Sequence, residues 1–129
     1  MNHSVVSSSA ESSGYAASNA VDGNSSTRWS SGQWMQPSQT GWIYVDLGSY
    51  QNFSEVRLNW ESAYAADYQI QVSNDANTWS TLVNVTGNAT AGMLDYSGLT
   101  GSGRYVRIYC TRTSNVSYNY SLLDFKVYY

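Results

Sequence analysis

Residues 42–48, WIYVDLG, set Ile43, Val45 and Leu47 against Tyr44 and Asp46 in strict alternation. A period of two marks a strand with one face on a core and the other turned outward. The pattern recurs on both sides: VRLNW (56–60), YQIQV (68–72), TWSTLV (78–83), RYVRIYC (104–110) and LLDFKVYY (122–129). Between these runs lie the turn clusters SNDANT, TGNATAG and GLTGSG. No stretch shows helical spacing. Short strands, polar punctuation and no helical interludes predict an all-β sandwich. Neither a repeat nor a low-complexity linker divides the chain, so residues 1–129 read as one domain. Two long segments, 7–41 and 111–121, are expected not to be strands. They hold Trp29, Trp34, Tyr118 and Tyr120, and long loops in a small sandwich are where function is expected.

Composition narrows the function classes. The net charge is −3 with only six Lys and Arg, which is no electrostatic footprint for nucleic acid. No apolar run reaches the ~20 residues of a membrane-spanning helix. The lone Cys110 alternates in phase with Val106 and Ile108 and reads as a small buried residue. With His3 the single histidine, zinc clusters and Ser/His/Asp or Cys/His nucleophilic arrangements are not available. Twelve Tyr and five Trp are many for this length. Most of these rings are expected in the core, since strands favour aromatics, although the same residues suit a sugar-binding surface. The chain reads as a module taken from a larger secreted protein. Several N-x-[ST] triplets (Asn24, Asn52, Asn84, Asn88, Asn115, Asn119) are what an Asn- and Ser-rich composition generates unaided.

SSSAESSGYAASNAVDGNSSTRWSS, followed by the WIYVDLG run through TWSTL and by GRYVRIYCTRT…YSLLDFKVYY, resembles the discoidin domain, the coagulation factor V/VIII type C domain. It is more similar to the bacterial sugar-binding branch, carbohydrate-binding module family 32. The resemblance covers nearly the whole chain. It implies a jelly-roll β-sandwich of about eight antiparallel strands, one structural calcium, and ligand bound by loops at one end. The paired Cys of many eukaryotic discoidin domains is absent, which favours the bacterial branch.

The loop NAVDGNSSTRW (19–29) carries donors suited to a hard cation, which takes six to eight oxygens. Asp22 would give a carboxylate, Gly23 a tight turn, Asn24 a carbonyl, and Thr27 a hydroxyl and a carbonyl. A plain Asp-Gly turn is the other reading of Asp22. The resemblance implies closure by backbone near Asn19 or Ala20 and by the Leu123 carbonyl with Asp124. The Ca2+ would be structural, tying the N-terminal loop to the last strand.

Trp29 is expected beneath that loop in the core, and Arg28 is expected to face ligand, to pair with a neighbouring carboxylate, or to do both. Galactose-binding members of the family place a His beside an Arg and an Asn, which this chain cannot do. Modules attached to chitosanases and glucanases surround a terminal glucosamine with Glu, Arg, a loop group and Glu. Glu11, Arg28 and Glu61 match that pattern, with Gln33, Trp34 or Gln36 as the loop group and Tyr118 as an aromatic on the last loop. The resemblance therefore implies a secreted, monomeric, non-catalytic module that binds a polysaccharide, chitosan favoured, and serves a parent glycoside hydrolase. Three alternatives stay open at this point. They are a module for a neutral β-glucan, a glycosidase using Glu11 and Glu61 as its acid/base pair, and a cell-surface adhesion domain.

Overall fold

The computed structural model describes residues 4–7, 13–22, 24, 26–31, 40–114 and 120–128. Among these described residues, nine strands lie in two antiparallel sheets. The five-stranded sheet runs in the order β1 (Ser4–Ser7), β3 (Gly41–Phe53), β8 (Gly101–Thr113), β5 (Ala65–Ser73), β6 (Ser80–Val85). The four-stranded sheet runs β2 (Trp29–Ser30), β9 (Ser121–Tyr128), β4 (Glu55–Trp60), β7 (Gly92–Tyr96). Single 3-10 turns at Ser13–Tyr15 and Ala17–Ala20 precede β2.

The alternation in the sequence decides which face turns inward. Ile43 and Val45 on β3 sit opposite Ile108 and Val106 on β8, which in turn sit opposite Ile70 and Val72 on β5. Val56 and Leu58 on β4 oppose Val127 and Phe125 on β9. Apart from the half-buried Val72, these side chains are buried. Each contributes about 1.5–3 kcal/mol relative to exposure. Trp60 of one sheet meets Tyr68 of the other at 5.3 Å between ring centroids. The Tyr68 hydroxyl, whose acidity burial and the hydrogen bond with Tyr96 suppress, closes against the Tyr96 hydroxyl. Cys110 is fully buried, and burial pushes its thiol pKa up, so it is a packing residue.

The sandwich and the long alternating strands follow the sequence reading, with several differences. The short β1, β2 and β7 were not legible as strands. β8 continues to Thr113, two 3-10 turns lie within 7–41, and β6 begins two residues later than its sequence run. The expectation that most rings enter the core is corrected. Among the described residues Trp29, Phe53, Trp60, Tyr68, Tyr120 and Phe125 are buried. Trp42, Tyr44, Trp79, Tyr105 and Tyr109 are only half-buried. The β3 and β8 rings occupy the phase opposite to Ile43, Val45, Val106 and Ile108, which sends them to the outer face.

Candidate functional site

One end of the sandwich is held by backbone hydrogen bonds between loop bases. Ser31 N–H donates to Tyr120 O at 2.9 Å, and Tyr120 N–H donates to Ser31 Oγ at 2.9 Å. Glu61 N–H donates to Ser121 O at 3.1 Å, and Ser121 N–H donates to Ala63 O at 2.8 Å. Ser114 N–H donates to Tyr64 O at 3.1 Å. The ends of β2, β4 and β8 and the starts of β5 and β9 thus form a common rim.

Two of the expected ligand residues meet at this rim. Trp29 on β2 and Trp60 on β4 both oppose Leu122, from either side of β9. Arg28 and Glu61 are the chain neighbours of those buried tryptophans, so the core sets where their side chains start. Arg28 Nη1 lies 3.7 Å from Glu61 Oε2, with the two side chains 34% and 23% exposed. The guanidinium carbon also lies 4.8 Å from the centroid of Tyr15, a cation–π contact. Arg28 Nε is buried and has no hydrogen-bond partner among the described residues.

Glu61 is held as a carboxylate. Burial acts to raise its pKa, but hydrogen bonds from the Ser62 hydroxyl and the Ala63 N–H, with the Arg28 charge, outweigh it and leave the group below its ordinary value. Tyr15 and Ser62 were not among the residues singled out in the sequence. Tyr15 is the lone ring in SSGYAAS, and only its position beneath Arg28 gives it meaning. Glu11, Trp34, Gln36 and Tyr118, with the alternative Gln33, lie outside the described residues.

The loop before Arg28 gathers oxygens. Thr27 Oγ1 lies 2.5 Å from Asp22 Oδ2, 3.0 Å from the Asn24 carbonyl and 3.5 Å from the Asn19 carbonyl. One hydroxyl proton satisfies one acceptor. The backbone supplies two more donors, Thr27 N–H to the Asn24 carbonyl at 3.2 Å and Asn24 N–H to Asp22 Oδ1 at 2.9 Å. These oxygens keep further lone pairs. This is a donor set that a hard cation fits. Asn24 Oδ1 accepts from Ser26 N–H and Oγ, and the Asn24 carbonyl keeps one lone pair beyond its bond from Thr27 N–H. The Asn19 side chain donates to Gly14 O at 2.8 Å and Arg28 O at 3.0 Å, fixing the loop to the arginine. On β9 a register shift against β4 passes from Leu122 to Asp124 and leaves Leu123 without a β4 partner. The Asp124 carboxylate pairs with Lys126 Nζ at 3.4 Å. The Ala17–Ala20 turn packs against β9, and no hydrogen bond joins Asp124 to the loop cluster among the described residues.

Comparison with known proteins fits this architecture. No curated protein sequence matches the chain. Among solved structures, chitosan-binding module 2 of a chitosanase/glucanase from Paenibacillus sp. IK-5, in complex with chitotriose, superposes with a TM-score of 0.89. Its identity is 40%, over 100% of this chain and 98% of that one. Module 1 of the same enzyme gives 0.89 at 41% identity over 100% and 96%. The family 32 module of AlyQ, in complex with 4,5-unsaturated mannuronic acid, gives 0.78 at 26% identity over 98% and 94%. The family description "F5/8 type C domain" matches residues 4–124. The chain therefore belongs to the F5/8 type C domain family.

Proposed function

We propose that this domain is a non-catalytic carbohydrate-binding module that takes glucosamine units of chitosan at the rim where Arg28 and Glu61 meet. The observation that carries the reading is the state of that pair. At 3.7 Å it is looser than the 2.7–2.9 Å of a charge-assisted hydrogen bond. Both groups keep free hydrogen-bonding capacity, and both are partly exposed. Glucosamine carries an ammonium where glucose carries a hydroxyl, and Glu61 is held ionised to meet it. At 4 Å and intermediate dielectric the gross attraction is about 4 kcal/mol. After desolvation and ordering, a surface pair keeps about 1 kcal/mol. Arg28, with five donors in a rigid fork, suits adjacent sugar hydroxyls. The 40% identity to a module solved with chitotriose supports the same ligand class.

A lowered pKa keeps Glu61 from the general-acid role but would suit a nucleophile or base. The non-catalytic reading is therefore supported by the binding modules that the chain resembles. We assign Glu11, Trp34, Gln36 and Tyr118 to the same ligand surface on the family pattern. A structural Ca2+ is assigned to the Asn19, Asp22, Asn24 and Thr27 oxygens, closed by the Leu123 carbonyl and Asp124. The bound ion would fix the loop that carries Arg28. The module is read as monomeric and extracellular, holding a parent hydrolase near polymer and so raising its local concentration.

Calorimetry with chitotriose and with laminaritriose tests the assignment. Chitotriose is expected to bind with an affinity that falls with salt, and laminaritriose more weakly. Equal affinity for the two would remove the amino group from recognition. Release of reducing ends from chitosan would overturn the non-catalytic reading.

A further inference from the structure

Five half-buried rings, Trp42, Tyr44, Trp79, Tyr105 and Tyr109, gather on the outer face of the five-stranded sheet. Trp42 and Tyr44 stack at 5.6 Å with 18° between their planes. Tyr44 also meets Trp79 at 5.4 Å and the edge of Tyr105 at 5.6 Å. Arg107 sits among them. Its guanidinium carbon lies 4.2 Å from the centroid of Trp79, 4.7 Å from Tyr109 and 5.9 Å from Trp42. Its Nε donates to Gln71 Oε1 at 2.7 Å. The Gln71 amide donates to Gln69 Oε1 at 2.8 Å, and Thr81 Oγ1 donates to the same oxygen at 3.1 Å.

Charge makes this cluster unlike the rest of the molecule. Of the six Lys and Arg side chains, Arg28, Arg57, Arg104, Arg112 and Lys126 each face a carboxylate. Arg107 faces none among the described residues. The nearest outward acids on β3 and β5, Asp46 and Asp67, are taken by bidentate pairs with Arg104 and Arg112. Among the described residues only Nε of Arg107 has a hydrogen-bond acceptor, and the Nη hydrogens of this partly desolvated cation have none. The rings stabilise it through cation–π contacts, whereas a carboxylate would engage it as a bidentate, charge-assisted partner.

We infer that this sheet face is a second ligand surface, separate from the rim, and that it takes a carboxylate-bearing sugar, a uronate unit of an acidic polysaccharide, on Arg107. The row Tyr44–Arg107–Gln71–Thr81 crosses β3, β8, β5 and β6 in register. Adjacent strands lie about 4.8 Å apart, close to the length of one pyranose unit. Gln71 is buried and props Arg107, so a chain laid across the strands meets a ring, a guanidinium and, beyond Gln71, the Gln69 amide and the Thr81 hydroxyl. Rings receive the apolar faces of sugars, and Gln69, Thr81 and the exposed Asn84 offer hydrogen bonds to hydroxyls. An acidic peptide would use the guanidinium but not that flat, mixed surface. The inference does not depend on the rim reading.

The test is an NMR titration of the 129-residue chain with trigalacturonate, maltotriose and triglutamate, with chitotriose as a control. Trigalacturonate is expected to shift the Trp42 and Trp79 indole N–H signals and the 105–109 amides, more weakly as salt rises. Arg107→Gln is expected to weaken this at least tenfold while the chitotriose response at the rim persists. Arg107→Lys, which keeps the charge but loses the fork, should fall between and serves if the glutamine variant does not fold. The inference is overturned if trigalacturonate leaves these signals still or acts no more strongly than maltotriose. It is overturned equally if triglutamate moves the same signals as well.

Discussion

Arg28 and Glu61 stand on opposite flanks of β9, each next to a buried tryptophan that opposes Leu122, and their charged ends meet at 3.7 Å. The relationship is fixed from below by the core and left open above. Such a pair orients a polar ligand with little rearrangement, because its side chains are already ordered.

Removing the charge of Glu61 should therefore act on ligand rather than on fold. Glu61→Gln is expected to lower chitotriose affinity by about 1 kcal/mol, roughly fivefold, at low salt. The difference should shrink toward 1 M salt, where the screening length is about 3 Å. Calorimetry at two ionic strengths reads this directly. A salt-independent loss would mean that Glu61 acts through hydrogen bonds alone.

Affinity should also depend on pH, with a sign that the site sets. Binding of an ammonium sugar needs Glu61 ionised, and its pKa lies below the ordinary carboxylate value. Affinity is expected to hold as pH falls through the usual Glu range near 4.3, and to drop only below it. Stability linked to Glu61 follows the same course, present above the unfolded-state pKa and lost as pH falls through the lower folded one. A midpoint at or above the ordinary value, measured by NMR of the Glu61 carboxyl carbon, would contradict the hydrogen bonding from Ser62 and Ala63.

Tyr15 lies under the guanidinium at 4.8 Å and should position it. Tyr15→Phe keeps the ring and is expected to bind chitotriose as the parent does. Tyr15→Ala is expected to cost about 0.5–1 kcal/mol of affinity, with thermal stability little changed. A similar loss in both variants would transfer the role from the ring to the hydroxyl.

What the sequence made legible follows from where periodicity is strong. WIYVDLG and VRLNW alternate cleanly because one face of each is fully buried, and both are strands. GMLDY (92–96) is an edge strand, with Met93 57% exposed and the rest half-buried or exposed, so its alternation carries little contrast. Arg28 and Glu61 could be paired only through the family resemblance, since 33 positions of sequence separate them and no local rule connects them. The isolation of Arg107 had no sequence signal at all. It depends on the register that places Tyr44 and Gln71, rather than an acid, beside it.

The oxygen cluster around Thr27 predicts a response to calcium. Added Ca2+ is expected to raise the thermal midpoint in proportion to the logarithm of its concentration once the site fills, and chelator to reverse it. Asp22→Ala should abolish the shift and lower the midpoint without calcium only modestly, because the exposed Asp22 carboxylate accepts from Asn24 N–H and the Thr27 hydroxyl. A calcium-dependent midpoint that survives Asp22→Ala would move the ion elsewhere.

Gly101 tests the packing at the opposite end of the sandwich, where β8 begins. It pairs with Phe53 across β3 and β8, and both residues are buried. A Cβ on residue 101 would lie 2.3 Å from the Phe53 ring, so any side chain there forces the ring to move. Gly101→Ala must push the ring out of its well, at a cost of about 1–3 kcal/mol. For a chain of this length that is a fall in thermal midpoint of roughly 3–5 °C per kcal/mol. Phe53→Leu alone also destabilises, by removing buried apolar surface. Combined with Gly101→Ala it should cost less than the sum, since the smaller side chain makes room for the methyl. Ligand affinity should be unchanged in all three variants, because the rim lies at the other end of the strands. Strict additivity in thermal unfolding would show that the clash is absorbed by the backbone and not by the ring.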